Sequence, residues 1–319
     1  MPRASSSHTG VTSGGERYRI SRAASSGARG AEVADKMGRM TALRQNVILE
    51  GHPVLTAARA ALWAGHCALR IPAVVTIGAH GPRMRLTPRF RRYGSTSLYM
   101  RRGRYEPTLD VLMRLVKPGD IVFDAGANFG IYSLVLAQRA GPLGCVYAFE
   151  PGAEALMHLR RNASLNPQLN VEVVPVALSD REGPATLAHI FGPPTYSLVE
   201  DRSGERVDLV TLDAWSAATH VSGPMVVKVD VEGHEPAVFA GGLSTLERAK
   251  PLLMFEVSFN ALRRSGFEHD SSWRVLNELG YEFFRLNADE ELERLREVEE
   301  GNIFAAHPGS EPGRRLAHT

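Results

Sequence analysis

The first residues of this chain that could do chemistry are an acid followed by spaced glycines, DAGANFG, from Asp124 to Gly130. The preceding DIVF reads as a buried strand and the following IYSLVLAQRA as a helix, so the glycines sit at a strand-to-helix turn. Gly126 permits a tight turn and close approach of the backbone to a ligand, and Gly130 lets the helix pack closely on the strand. The helix start presents unpaired N–H groups to whatever lies above the sheet. Twenty residues after Gly130, the run CVYAFE ends in Glu150. From that position a carboxylate accepts hydrogen bonds from ribose hydroxyls. Together these residues point to a nucleotide-like ligand.

A dinucleotide needs bare backbone around its pyrophosphate, in the pattern G-x-G-x-x-G. Here Asn128 follows Gly126 by two residues, and its side chain takes the space of a second phosphate. Asp124 would repel a pyrophosphate, whereas it can accept hydrogen bonds from an ammonium group. S-adenosyl-L-methionine carries that ammonium and no phosphate, so D-x-G-x-N-x-G suits it. A nicotinamide oxidoreductase or a non-catalytic nucleotide-binding module is the alternative from a different class.

Four runs in order, KPGDIVFDAGANFGIYSLVLA (Lys117 to Ala137), FEP (Phe149 to Pro151), VTLD (Val210 to Asp213) and KVDVEGHE (Lys228 to Glu235), resemble FkbM-type methyltransferases. The similarity extends over about residues 104–307, and KVDVEGHE is its most diagnostic part. The resemblance implies a Rossmann-like α/β fold with the seven-stranded class I methyltransferase sheet, its last strand antiparallel. It implies S-adenosyl-L-methionine as cofactor and O-methylation of a hydroxyl on a sugar, polyketide or other small molecule. Carried onto this chain, Asp124, Gly126, Asn128 and Gly130 would hold the methionine end and Glu150 the ribose. Ser179 and Asp180, just beyond the third strand, would lie beside the adenine. The GPPTY string (Gly192 to Tyr196) is similar to the N-P-P-Y motif of amine methyltransferases but falls at the wrong strand, so it reads as a loop with Tyr196 as a substrate wall.

Methyl transfer is an in-line displacement, so the protein must orient the nucleophile and accept a proton if that nucleophile is a hydroxyl. Asp230 ends the run MVVKVD, and Glu232, His234 and Glu235 follow on the loop opening the next helix. Loops at the carboxyl ends of strands line the ligand crevices of open α/β sheets, which makes Asp230, Glu232 and His234 the catalytic candidates. A histidine near neutrality can act as a base, yet between Gly233 and Glu235 it also reads as a capping residue. Lys228, two residues before Asp230, shares its face and needs an acidic partner if buried. Glu256 ends LLMFEV and can approach Asp230 from a neighbouring strand. Such carboxylates can bind Mg2+, although one hydrogen-bonded and one partly protonated acid is the commoner outcome; no metal ligand set is assigned.

Positioning these residues requires an alternation of strands and helices. From Pro107 to residue 309 the chain supplies it, and βαβ units imply a parallel sheet covered on both faces. The strands are DIVFDAG, CVYAFE, VEVVPVAL, VDLVTL, MVVKVD, LLMFEV, YEFFRL and NIFAAH. Ahead of it, residues 31–106 read as an α+β extension: a helix over Pro53 to Leu69, then short β-type runs VVTIG, MRLTP and TSLYM. Residues 1–30, rich in Ser, Gly, Ala and Arg, read as a disordered tail, and residues 310–319 as a carboxyl-terminal tail. Cys145, Met113, Met157 and Met254 lie in apolar runs and read as packing.

The chain has 319 residues and a formal net charge of +2, which demands no polyanionic partner. Arginines cluster between Arg83 and Arg104 with aromatics interleaved, open to three readings: a solvated face, a surface for an acidic substrate or membrane, or a nucleic-acid patch. The last would support RNA or protein methylation. Two cysteines, Cys67 and Cys145, build neither a disulfide framework nor a multi-cysteine zinc site. No apolar run is long enough to span a bilayer, and MPRASSSHTG lacks the pattern of a secretory signal, so the expected location is cytoplasmic. The nearest candidate for a span, Pro53 to Ile77, is interrupted by Arg59, His66 and Arg70 and reads as a packed or solvent-edged helix, with an interfacial membrane helix as the alternative. The expected acceptor is a small molecule or carbohydrate.

Overall fold

The computed structural model describes residues 53–89, 94–102, 106–189, 196–199, 204–221 and 223–317. The chain divides into two units, Met1–Pro53 and Val54–Thr319. Apart from Pro53 the first unit, including the tail expected over residues 1–30, lies outside the described residues; the fold below is that of the second.

An extension comes first: helix α1 (Pro53–Leu69), a hairpin of β1 (Ala73–Thr76) and β2 (Arg83–Leu86), and helix α2 (Ser95–Arg101). The run TSLYM, expected as a strand, is helical instead. Leu98, Tyr99 and Met100 are all buried, and Tyr99 stacks on Trp63 of α1 at 4.8 Å. Tertiary burial here outweighs a weak β preference. Residues 90–93 and 103–105, with part of the arginine cluster, lie outside the described residues.

Pro107 opens helix α3 (Pro107–Leu115), where a fixed φ and a missing N–H cost nothing. Strands and helices then alternate: β3 (Ile121–Ala125), α4 (Ile131–Ala140), β4 (Cys145–Phe149), α5 (Ala153–Ser164) and β5 (Val171–Val174). The run VEVVPVAL, expected as one strand, breaks at Pro175. Its second half, β6 (Ala177–Ser179), joins β7 (Gly183–His189), β8 (Tyr196–Val199) and β9 (Glu205–Thr211) in a separate sheet of order β6-β9-β7-β8. Proline cannot donate to a ladder, so the strand changes sheets there. Residues 190–195, most of the GPPTY string, are outside the described residues, as is the side chain of Tyr196.

The chain continues through α6 (Leu212–Thr219), β10 (Val226–Val229), α7 (Glu235–Ala240), α8 (Leu243–Ala249), β11 (Leu252–Val257), α9 (Phe259–Arg264) and α10 (Ser271–Glu278). It ends with β12 (Glu282–Leu286), β13 (Leu292–Leu295), β14 (Gly301–Ala306) and α11 (Glu311–Leu316). The main sheet has eight strands in the order β13-β12-β14-β11-β10-β3-β4-β5. Five of them, β5-β4-β3-β10-β11, are parallel, and β14 runs antiparallel to both β11 and β12. Seven strands are as expected from the resemblance; β13 extends the edge beyond them. Under β3 and β4, Phe123, Phe149 and Trp215 meet edge to face.

Within residues 310–319, expected as a tail, Glu311–Leu316 instead form a helix capped by Ser310. Ser310 accepts from the Gly313 amide at 3.0 Å, and Arg315 of α11 pairs with buried Asp120 and donates to the Leu115 carbonyl. Met157 is exposed and Cys145 only half-buried, so neither is core, whereas Met254 is. Among the described residues no helix is long and apolar enough to cross a membrane.

Candidate active site

A cavity opens at the carboxyl edge of β3, β4 and β10, where an open α/β sheet binds ligands. Its floor is the glycine turn. Gly126 has φ +76, and a Cβ there would lie 1.9 Å from the Asp230 carbonyl oxygen, so only glycine lets the β3 turn touch the end of β10. Gly130 has φ +91, which disfavours a side chain, and a Cβ there would lie 2.6 Å from the Leu159 side chain of α5. Between them Asn128 adopts φ +51, a left-handed conformation that asparagine tolerates better than most residues.

Of the sequence candidates, Gly126, Asn128, Glu150, Asp230, Glu232 and His234 line the cavity. Asp124, Gly130, Ser179 and Asp180 do not line it. Asp124 is fully buried beneath the floor: its Oδ2 accepts from Ser133 Oγ at 2.6 Å and its Oδ1 pairs with Lys228 Nζ at 3.3 Å. The register places Lys228 directly beside Asp124 on adjacent strands. Lys228 also donates to the Gly126 carbonyl at 3.1 Å and pairs with Asp230 at 3.5 Å. Burial pulls its pKa down, but the two carboxylates outweigh that and hold it above the ordinary lysine value. Asp124 therefore acts through Lys228, which ties the glycine turn to Asp230.

Ser179 and Asp180 form a chain with His234. Ser179 Oγ donates to Asp180 at 3.1 Å and meets His234 Nε2 at 2.9 Å. Burial lowers the His234 pKa, so the ring is neutral at pH 7. Its ring also packs against Phe267 at 5.8 Å, edge to face, which makes it a held residue rather than a loose cap. Glu235 accepts from the amides of Val231 at 3.0 Å and Gly233 at 3.2 Å, fixing the loop that carries Glu232 and His234. Glu232 sits at φ +56, a conformation that costs a non-glycine residue of order 1 kcal/mol or more.

Carboxylates dominate the cavity's electrostatics. Burial raises Glu150 to about 7, although the Gly152 and Asn128 amides donate to it and favour the anion. Burial, then the charge of Asp230, raises Glu232. Burial and the charges of Asp230, Glu232 and Glu235 push Glu256 to about 8. Among the described residues no group of three His, Cys, Asp or Glu side chains has metal-binding geometry. A raised carboxyl pKa means that ionisation opposes folding, so the contribution of Glu256 is intact below about 4.5 and is lost as pH rises towards 8. Glu256→Gln, neutral throughout, is expected to be more resistant to this loss. Thermal midpoints from pH 5 to about 9 should fall less in the variant than in the wild type, and parallel curves would contradict the assignment.

Two lining residues escaped the sequence reading. Glu106, on the residue before α3, accepts from Tyr132 Oη at 2.5 Å, and Thr108 Oγ1 lies 2.9 Å from the same oxygen. Lys228 Nζ sits 5.3 Å from the centre of the Tyr132 ring. The one available signal was that Glu106 is the first acid after residues 51–105, which contain none.

This strand order, with one antiparallel strand in the main run and a cavity at the glycine turn, defines a class I methyltransferase fold. A family model described as "Methyltransferase FkbM domain" matches residues 124–283, half of the chain, and the chain belongs to that family. It is 25% identical over 193 residues to hexuronic acid methyltransferase AglP of Haloferax volcanii, covering 59% of this chain and 74% of that one. It is 30% identical over 159 residues to 31-O-demethyl-FK506 methyltransferase FkbM of Streptomyces tacrolimicus, covering 40% of this chain and 60% of that one. The crystal structure of a methyltransferase FkbM from Methylobacillus flagellatus aligns with a TM-score of 0.39 at 13% identity, over 66% of this chain and 53% of that one.

Proposed function

We propose that the protein transfers the methyl group of S-adenosyl-L-methionine to a hydroxyl of a small-molecule or carbohydrate acceptor. The observation that carries this reading is the buried, unpartnered Oδ1 of Asn128 in an acid-lined cavity floored by the glycine turn. A buried acceptor without a donor is costly, and an ammonium group supplies the missing donor. The carboxylates offset the cationic charge of such a ligand, and Phe129, Phe149, Val176 and Leu178 give an apolar wall for its base. When bound, the cofactor supplies an electrophilic methyl group on a sulfonium.

The chain's own residues do the rest. Asn128 and the glycine turn hold the methionine end, and Glu150 takes the ribose hydroxyls. Leu178, with Ser179 and Asp180 behind it, borders the adenine side, while the side chains of Ser179 and Asp180 hold His234. Asp230 and Glu232 receive the acceptor's hydroxyl and its proton. The names of the two relatives support a hydroxylated natural product or sugar as acceptor.

Calorimetric titration with S-adenosylhomocysteine tests the cofactor. The wild type is expected to bind, with Asn128→Ala and Glu150→Ala each weaker by about 1–3 kcal/mol for the loss of a buried polar partner. No binding by folded wild-type protein would overturn the proposal.

A further inference from the structure

Helix α1 is amphipathic in the inverted sense. Its polar side chains face the protein: Arg59 donates to the Met100 carbonyl at 2.7 Å, Trp63 Nε1 donates to Thr96 Oγ1 at 2.9 Å, and His66 Nδ1 meets the Ile71 carbonyl at 2.9 Å. The rest of the helix, more than half of its circumference at 3.6 residues per turn, is Val, Leu, Ala and Gly and is exposed. A helix packed on a protein and facing water shows the opposite pattern. Of the nine large hydrophobic side chains exposed among the described residues, six lie here: Val54, Leu55, Leu62, Leu69, Ile71 and Val74. Single exposed hydrophobics need no explanation, but a contiguous set does.

The stretch of sequence that carries this face is basic. Residues 51–105 contain ten arginines and no Asp, Glu or Lys, although the whole chain carries only +2. Exposed Arg70 lies between Leu69 and Ile71. On the hairpin, Val74 is paired with Arg85 and Thr76 with Arg83, so both arginines share the outward face with Val74, while Ala73, Val75, Met84 and Leu86 face inward. The hairpin is fixed to the methyltransferase domain by Asn162 and Asn166 of and beyond α5, which hold the backbone of Arg85 and Arg83.

We propose that α1 and the outward face of this hairpin dock on an anionic lipid bilayer, with the apolar face of α1 in the interface and the arginines against the headgroups. An apolar helix face flanked by basic residues and too short to span is the pattern of an interfacial element. The charge decides among occupants. A second copy of this face would bring Arg70, Arg83 and Arg85 against the same arginines, and like charges repel across such an interface. Residues 1–52 are themselves net basic and offer no complementary charge. A nucleic acid would engage the arginines but leave the Leu and Val face uncovered.

Flotation of the full chain with vesicles of phosphatidylcholine, alone or mixed with phosphatidylglycerol, tests this independently of methyl transfer. The wild type is expected to partition into the anionic vesicles on the order of tenfold or more better than into neutral ones. Leu62→Glu combined with Leu69→Glu should lose about tenfold or more of the anionic partition, and Arg70→Glu with Arg83→Glu should lose the preference for anionic lipid. All these side chains are exposed, so thermal midpoint and S-adenosylhomocysteine binding should match the wild type and show that the variants are folded. Absence of vesicle binding, or binding unchanged in the leucine variant, overturns the proposal. So does a wild-type dimer that the leucine variant converts to a monomer in sedimentation velocity, which would assign the face to a second copy.

Discussion

Lys228→Met is expected to lower stability by about 3–5 kcal/mol, the cost of stranding a buried charge by removing its partner. The stranded charge is Asp124, fully buried, with Lys228 Nζ 3.3 Å from its Oδ1 and one hydroxyl donor, Ser133, on the other oxygen. The same variant removes the donor to the Gly126 carbonyl and the cation beside Asp230. Methionine matches lysine in length, so a lost cavity is a minor part of the effect. Asp124→Asn in the Lys228→Met background removes the stranded charge and should recover part of the loss, a coupling that a double-mutant cycle reads directly. Denaturant unfolding followed by circular dichroism measures all four proteins. A Lys228→Met loss below about 1 kcal/mol, the scale of an exposed pair, would show that the ion pair is not the support of the glycine turn.

The contrast between Asp124 as read and Asp124 as found shows where sequence runs out. The glycine turn, Glu150 and the KVDVEGHE loop are legible because glycine conformation and strand ends are local signals, and Gly126, Asn128, Glu150, Asp230 and Glu232 do share one cavity. Whether an acid on a strand faces the ligand or a lysine on the next strand depends on register, and Lys228 opposite Asp124 is a pairing across 104 residues of sequence. The same holds for Ser179 and His234, which meet only because β6 leaves the main sheet after Pro175. Glu106 reaches Tyr132 from outside every motif. β13, LERL, carries alternating charge on an edge and has no apolar run to announce it. The helix at the carboxyl end has its signal, Ser310 before Glu311-Pro312, but six residues are too few for a periodic pattern to register.

Glu232→Gln is expected to reduce kcat by about 10²- to 10⁴-fold, the usual worth of a positioned general base, while S-adenosylhomocysteine affinity stays near that of the wild type. The charged and amide side chains have the same shape, so the positive φ of Glu232 is preserved and the change isolates the proton acceptor. The pH profile carries the sign. A base works when ionised, so the wild-type rate should rise with pH through an inflection above the ordinary glutamate value, because burial and then the Asp230 charge raise Glu232, against the lowering influence of Arg264 and Lys228. Asp230→Asn removes that neighbouring charge, so any activity left in it should titrate at lower pH than the wild type. That acid-ward movement of the Glu232 inflection is the signature of the Asp230 charge acting on it. His234 makes the opposite forecast: as base it would titrate below ordinary histidine, since burial lowers it, and His234→Asn rather than Glu232→Gln would abolish the inflection. A Glu232→Gln enzyme that keeps both its rate and its inflection would move the base from Glu232 to His234.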